Sequence, residues 1–142
     1  MIQTELAQIV ARHGGREGPL LPILHDVQHA QGHITEADVT TIALALNLSR
    51  AEVSGVVSFY HDFRRTPRAL PAVRLCRSEA CQARGSEPLA RWAELAAEGR
   101  VAIETAYCLG LCSAGPAAMV GDRQYARLDQ ASLSALIEAA AR

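Results

Sequence analysis

AVRLCRSEAC, residues 72–81, begins as a short strand and ends as a loop between two cysteines. Val73 and Leu75 fall on one face of Ala72–Cys76, the two-residue repeat of an extended chain. Further on, residues 88–97 carry helical spacing, with Leu89, Trp92 and Leu95 as the apolar positions. Residues 101–106 (VAIETA) alternate again, and Cys108 and Cys112 follow directly. A strand, a helix and a second strand in that order form a crossover unit whose strands run parallel. Each strand then leads into its own cysteine pair, so both pairs fall at the same end of the sheet. Residues 117–120 and 124–128 form a hairpin about Gly121-Asp122. Asp129 caps a last helix with Leu133, Leu136 and Ile137 on its apolar face.

The order strand, helix, strand, strand, strand, helix predicts a small α/β layer such as a thioredoxin-like fold. The residues before it read as short helices. Ile2, Leu6, Ile9 and Val10 make one stripe, broken at Gly14-Gly15. A second helix starts near Pro19, places Leu20, Ile23, Leu24 and Val27 on one side and ends at Gly32. Thr35 with Asp38 resembles a capping box for a third helix carrying Val39, Ile42, Ala43 and Leu46. Ser49 with Glu52 is a capping box for a fourth, with Val53, Val56 and Val57. Arg64-Arg65-Thr66-Pro67-Arg68-Ala69-Leu70-Pro71 disfavours regular structure and reads as a linker. The expected architecture is therefore mixed α+β and α/β: a small helical bundle at 1–66, then a thioredoxin-like module at 67–142.

Composition narrows the function classes. Of 142 residues, 49% are apolar, enough for a core, and only 4% are aromatic, which favours packed helices over a β-sandwich. A net charge of −1 argues against a nucleic-acid binder. No apolar run approaches a membrane span, and the first residues lack the basic start and apolar stretch of a signal peptide. The expectation is a soluble, cytoplasmic protein with no nucleic-acid partner and no membrane insertion. Every positive side chain is Arg, a trait of genome composition rather than of mechanism.

All four cysteines lie in the second half, as Cys76-x4-Cys81 and Cys108-x3-Cys112, with 26 residues between the pairs. Disulfides are disfavoured without a signal peptide, and a thioredoxin-type redox pair wants Cys-x-x-Cys. Four thiolates suit a [2Fe–2S] centre, while structural zinc also permits both spacings, so zinc remains the rival on spacing alone. Such a cluster carries a formal charge of −2 oxidised and −3 reduced, counting two ferric ions, two sulfides and four thiolates. Arg74, Arg77 and Arg84 lie near the first pair; facing the cluster, they would favour its reduced form. Gly110 and Gly115 would let backbone amides approach the sulfurs.

At these residues the chain resembles a known family. The matching pieces are Pro22-Ile23-Leu24, Val27-Gln28, Gly32 and Ile34, then Val53-Ser54-Gly55-Val56-Val57-Ser58-Phe59-Tyr60 and Phe63. In the second half they are Arg74-Leu75-Cys76 with Cys81, Tyr107-Cys108-Leu109-Gly110-Leu111-Cys112, and Pro116. They resemble the NuoE-like thioredoxin-fold ferredoxins, small subunits that accompany NADH-binding flavoproteins. The resemblance implies one [2Fe–2S] cluster on Cys76, Cys81, Cys108 and Cys112. SFYHDFRRTP and Glu79-Ala80-Cys81-Gln82-Ala83-Arg84-Gly85 look most like the gamma subunits of NAD-dependent, molybdenum-containing formate dehydrogenases. That branch implies a flavin- and NADH-binding beta subunit (NuoF-like) and a molybdenum-containing alpha subunit as partners. FMN, NAD and the molybdenum cofactor would sit on those partners only. The sister readings are the equivalent subunit of respiratory NADH:quinone oxidoreductase or of an NAD-linked hydrogenase. The chain departs from the family in the short segment before Val101, which puts in doubt contacts made through that segment.

No general acid, base or nucleophile is evident, so the chain is read as an electron carrier, not catalytic on its own. His25, His29 and His33 share a helical spacing that can bind metal, but Gly32 should end the helix before His33, so they read as an exposed face. Phe59, Tyr60 and Phe63, three of the six aromatic residues, either close the bundle core or anchor the flavin subunit, with Arg64, Arg65 and Arg68 as a polar rim. Pro116 stands where thioredoxin-like folds often carry a cis proline; the Cys112 loop tilts the expectation here to trans. Trp92 reads as core.

Overall fold

The structure, a computed structural model, describes residues 3–142, with side chains from Glu5 onward. Ile2 of the first apolar stripe lies outside the described residues. The chain divides into two compact units, Met1–Arg68 and Ala69–Arg142.

The first unit holds four helices: α1 (Gln3–Arg12), α2 (Leu20–Gln31), α3 (Glu36–Leu46) and α4 (Arg50–Phe59). Their ends are where local chemistry places them. Gly32 closes α2 in the left-handed conformation at φ 85°, which costs a glycine nothing. Thr35 and Asp38 form a full capping box on α3, and Ser49 and Glu52 another on α4. Each such cap is worth about 1 kcal/mol. Leu6, Ile9, Ile23, Leu24, Val27, Val39, Ile42, Val53 and Val57 are buried in one core with Ile34 and Phe63. Gln28 ties the chain leaving α4 back to α2. Its Nε2 donates to Asp62 O at 2.7 Å, and its Oε1 accepts from Arg64 N at 2.7 Å. Ile34 N donates to Arg64 O beside them.

The second unit is a four-stranded sheet with helices α5 (Glu79–Gln82), α6 (Ser86–Ala96) and α7 (Gln130–Ala140). Its strands are β1 (Ala72–Cys76), β2 (Ala102–Ala106), β3 (Ala118–Val120) and β4 (Arg123–Tyr125), in the order β2-β1-β3-β4. β1 pairs in parallel with β2, Cys76 opposite Ala106, and antiparallel with β3. The β3–β4 hairpin turns at Gly121-Asp122, flanked by the pair Val120 and Arg123. Helices α6 and α7 share a core with β1: Leu89, Ala90, Ala93, Leu133 and Ile137 against Val73 and Leu75. Asp129 caps α7 with Ser132. Arg100 and Glu138 join the turn after α6 to α7 through two bonds, at 2.8 and 3.2 Å.

Some details differ from the sequence reading. Leu95 is 80% exposed, because the buried face of α6 is made of Leu89, Ala90 and Ala93, continued by Ala97 just past its end, and the small alanines let the helix sit close to the sheet. The Gly115–Pro116 bond is cis.

Candidate metal centre

Because β1 and β2 are parallel and in register, their last residues, Cys76 and Ala106, lie side by side. The chain continues from both at one end of the sheet. After β1 it enters the single helical turn α5, and Cys81 lies within that turn rather than in a loop. After β2 it passes Tyr107 and reaches Cys108, whose φ of 69° is left-handed, followed by Gly110 at 76°. Cys112 opens one 3-10 turn, Cys112–Ala114. Gln124 Nε2 donates to Leu109 O at 2.9 Å and holds this loop from β4.

The four sulfurs divide into an inner and an outer pair. Cys76 and Cys81 are buried and pack with Ala117, and Leu109 and Leu111 cover them. Cys108 and Cys112 are exposed, their sulfurs 3.7 Å apart. Two sulfurs held at about 2.3 Å from one tetrahedral ion stand about 3.7–3.8 Å apart, so the outer pair already has the spacing of ligands to a shared ion. Among the described residues, no three His, Cys, Asp or Glu side chains gather as the ligands of one ion would. The arrangement is two pairs, not one closed tetrahedron.

Burial alone would push the Cys76 thiol up, but hydrogen bonds outweigh it and hold the group below its usual range. The donors are the Ser78 N–H, the Cys81 thiol and the N–H groups of Cys108 and Leu109. The left-handed turn at Cys108 aims two successive amides at one sulfur, an anion-binding arrangement. Cys81 is pushed up by burial and by donating to Cys76, with the Ala117 N–H opposing. Cys112 is pushed up by its hydrogen bond with Cys108 and by that neighbour's charge. A Cβ on Gly115 would stand 2.9 Å from Cys81 Sγ, so the backbone there is fitted around the sulfur. Four thiols in two pairs, amides donating to the inner sulfurs and an apolar cover fit a thiolate-ligated two-iron centre.

The other residues singled out in the sequence separate. Arg77 turns to Glu87, with Nε–Oε1 at 2.7 Å and Nη2–Oε2 at 2.5 Å, so its charge is matched by a carboxylate. The Cδ of Arg84 lies 3.3 Å from the position a Gly115 Cβ would take. Gly110 serves its left-handed turn, while the amides that reach sulfur belong to Ser78, Cys108, Leu109 and Ala117. Backbone donors leave no trace in residue type, and no sequence signal marks Ser78 or Ala117. His33 lies beyond the end of α2, and the His25 ring packs on Phe63 at 4.9 Å. Phe63 is buried, whereas Phe59 is 75% and Tyr60 43% exposed. Of the three arginines beyond them, Arg65 is held by Glu36 and Ser54.

A crossover α/β layer with paired cysteines at the carboxyl ends of two parallel strands defines an iron–sulfur protein of thioredoxin-like fold. The chain belongs to the thioredoxin-like [2Fe-2S] ferredoxin family, whose model matches residues 6–141. It is thus an iron–sulfur electron-transfer protein of the kind found in NAD-linked oxidoreductase complexes. It is 30% identical to an NADH-quinone oxidoreductase component of Rhizobium meliloti, over 96% of this chain and 87% of the relative. It is 28% identical to the HndA component of the NADP-reducing hydrogenase of Solidesulfovibrio fructosivorans, over 85% and 76%. Among solved structures, an NAD+-reducing [NiFe]-hydrogenase in the H2-reduced state matches with a TM-score of 0.67 and 27% identity. That match covers 81% of this chain but only 21% of the hydrogenase chain, so the whole enzyme's activity is not carried over with the fold. Among the described residues, no helix is long and apolar enough to cross a membrane.

Proposed function

We propose that this chain holds one [2Fe–2S] cluster, one iron on Cys76 and Cys81 and the other on Cys108 and Cys112. In this reading it is the gamma, electron-transfer subunit of a cytoplasmic NAD-dependent formate dehydrogenase. The observation that carries the proposal is the meeting of two cysteine pairs at one end of β1 and β2, the outer pair at the 3.7 Å spacing of shared ligands. When bound, the cluster supplies one-electron acceptance and donation. The chain's own residues do the rest. The thiolates bind the irons, the amides of Ser78, Cys108, Leu109 and Ala117 stabilise negative charge on the inner sulfurs, and Leu109 and Leu111 exclude water from that side. The exposed outer pair is the side from which electrons enter and leave.

The helical unit is the docking element for the flavin- and NADH-binding subunit. Its exposed Phe59 and half-exposed Tyr60, in edge-to-face contact at 5.1 Å, form the anchor. The formate assignment rests on the resemblance of SFYHDFRRTP and EACQARG to that branch. In the full reaction formate would give CO2, two electrons and one proton on the alpha subunit, and NAD+ would take up two electrons and one proton on the beta subunit, with no proton chemistry on this chain. The second reading, a component of NADH-quinone oxidoreductase or of an NAD-linked hydrogenase, is favoured by the names of the relatives.

The test is to isolate the tagged chain with its native partners, assay iron and labile sulfide, and follow formate-dependent NAD+ reduction. Equal iron and sulfide, a reddish-brown colour and formate activity are expected. A colourless zinc protein would remove the cluster. A coloured complex inactive on formate but oxidising NADH or H2 would move the chain to the second reading.

A further inference from the structure

We propose that Gly115 is a positioning residue for the inner cysteine pair: its bare α-carbon makes the space in which the Cys81 sulfur stands. The proposal deepens the cluster reading above and rests on it for the spectroscopic part of its test.

The backbone at Gly115 has φ −68° and ψ 166°, a conformation that any residue before a proline adopts. Glycine is not needed there for its freedom. A Gly→Ala change at such a site ordinarily stabilises a protein slightly, by restricting the unfolded chain. What stands against a side chain is space. The added Cβ would lie 2.9 Å from Cys81 Sγ, 3.3 Å from Arg84 Cδ and 3.5 Å from Cys81 Cα. The Cα distance is ordinary contact. Arg84 is exposed and flexible, so its stem can yield. The sulfur cannot yield without leaving its position as a ligand, because a cysteine has one side-chain torsion and Cys81 sits in α5.

Nor can the Gly115 segment retreat. Ala114 O accepts from Arg127 N at 2.7 Å, Pro116 O accepts from Leu128 N at 3.0 Å, and Ala117 O accepts from Cys76 N at 2.8 Å. Three carbonyl anchors surround the glycine. The segment 114–117 therefore sets both inner cysteines, one through its backbone bond to Cys76 and the other through the gap at Gly115.

The test uses the full chain isolated anaerobically, as wild type and as Gly115→Ala, Arg84→Ala, Arg84→Ala/Gly115→Ala, Cys81→Ala and Cys81→Ala/Gly115→Ala. In Gly115→Ala we expect cluster loss to a chelator to be on the order of tenfold faster, with changed EPR g-values and midpoint potential in what remains. Its melting temperature should fall by on the order of 5–10 °C. Added to Arg84→Ala, the alanine at 115 should lower the melting temperature by as much as it does in wild type, assigning the effect to the sulfur rather than the arginine. In the Cys81→Ala background, which removes the sulfur, the alanine at 115 should leave the melting temperature unchanged or raise it. A Gly115→Ala chain that fails to fold while Cys81→Ala/Gly115→Ala folds supports the proposal as well. Wild-type spectra and stability in Gly115→Ala overturn it, and so does an equal loss with and without the Cys81 sulfur. A wild-type chain lacking iron and sulfide would sink the cluster reading, while the melting comparison would still decide the packing claim.

Discussion

Replacing Phe59 by alanine should separate docking from folding. An aromatic side chain offers on the order of 150–250 Å², and Phe59 is 75% exposed, so on the order of 150 Å² is open to a partner. At about 25 cal/mol per Å² its burial is worth at most 3–4 kcal/mol, and truncation of a central aromatic anchor typically costs 2 kcal/mol or more. A loss of about 2 kcal/mol weakens the dissociation constant about thirtyfold. Within the bundle the same change removes the edge contact with Tyr60, worth about 0.5–1.5 kcal/mol. Phe63→Ala makes the contrast: that ring is buried, and its loss should cost the bundle about 3–5 kcal/mol. The assay is binding of the purified chain to a complex depleted of it, by interferometry, beside thermal melts. Wild-type affinity in a folded Phe59→Ala chain would refute the anchor.

Other outcomes follow from the same geometry. Gln28→Leu removes the hydrogen bonds to Asp62 O and from Arg64 N, and should cost the bundle about 1–3 kcal/mol in denaturant melts; no change would mean the junction is not held there. The carboxyls of Asp26, Glu52, Glu87, Asp129 and Glu138 are all held below their usual range. His13 does this for Asp26, the Ser49 amide for Glu52, Arg77 for Glu87, Ser132 for Asp129 and Arg100 for Glu138. Depressed groups of this kind stabilise the folded chain above the unfolded carboxylate value of about 4 and lose that contribution as pH falls through their lower folded values. Melting temperature should therefore decline as pH drops below about 4–5, and Glu138→Gln should flatten that decline; an acid limb identical to wild type would count against the Arg100 pair. After iron removal under reducing conditions, Cys108 and Cys112 should be alkylated before Cys76 and Cys81, as read by peptide mass mapping. Uniform labelling would contradict the division into inner and outer pairs.

Much of the fold is legible in the sequence because it rests on short-range chemistry. Thr35 with Asp38, Ser49 with Glu52, Asp129 and Gly32 mark helix ends through bonds spanning a few residues. The two strands and their cysteines follow from alternation and spacing. α5 escapes such a reading because four residues are too few for a helical period to register. Apolar spacing starts this helix at residue 88, whereas α6 begins at Ser86 after the left-handed Gly85, with Pro88 in its first turn. Spacing assigns Leu95 to the core, but alanines fill that face and leave the leucine outside. The fit of Gly115 to Cys81 joins residues 34 apart, and nothing local in either stretch records it.

The division between Arg68 and Ala69 has a consequence for the timing of folding. The bundle is assembled from neighbouring helices joined by short turns, so its ends meet across little intervening chain. The sheet must bring Val73 beside Ile103 and Val120 before β1 has either neighbour. Helical bundles dominated by local contacts fold in about microseconds to milliseconds, and non-local strand pairing lengthens that time. During synthesis the bundle also leaves the ribosome first. The surface carrying Phe59 is thus complete while β1 still waits for its partners.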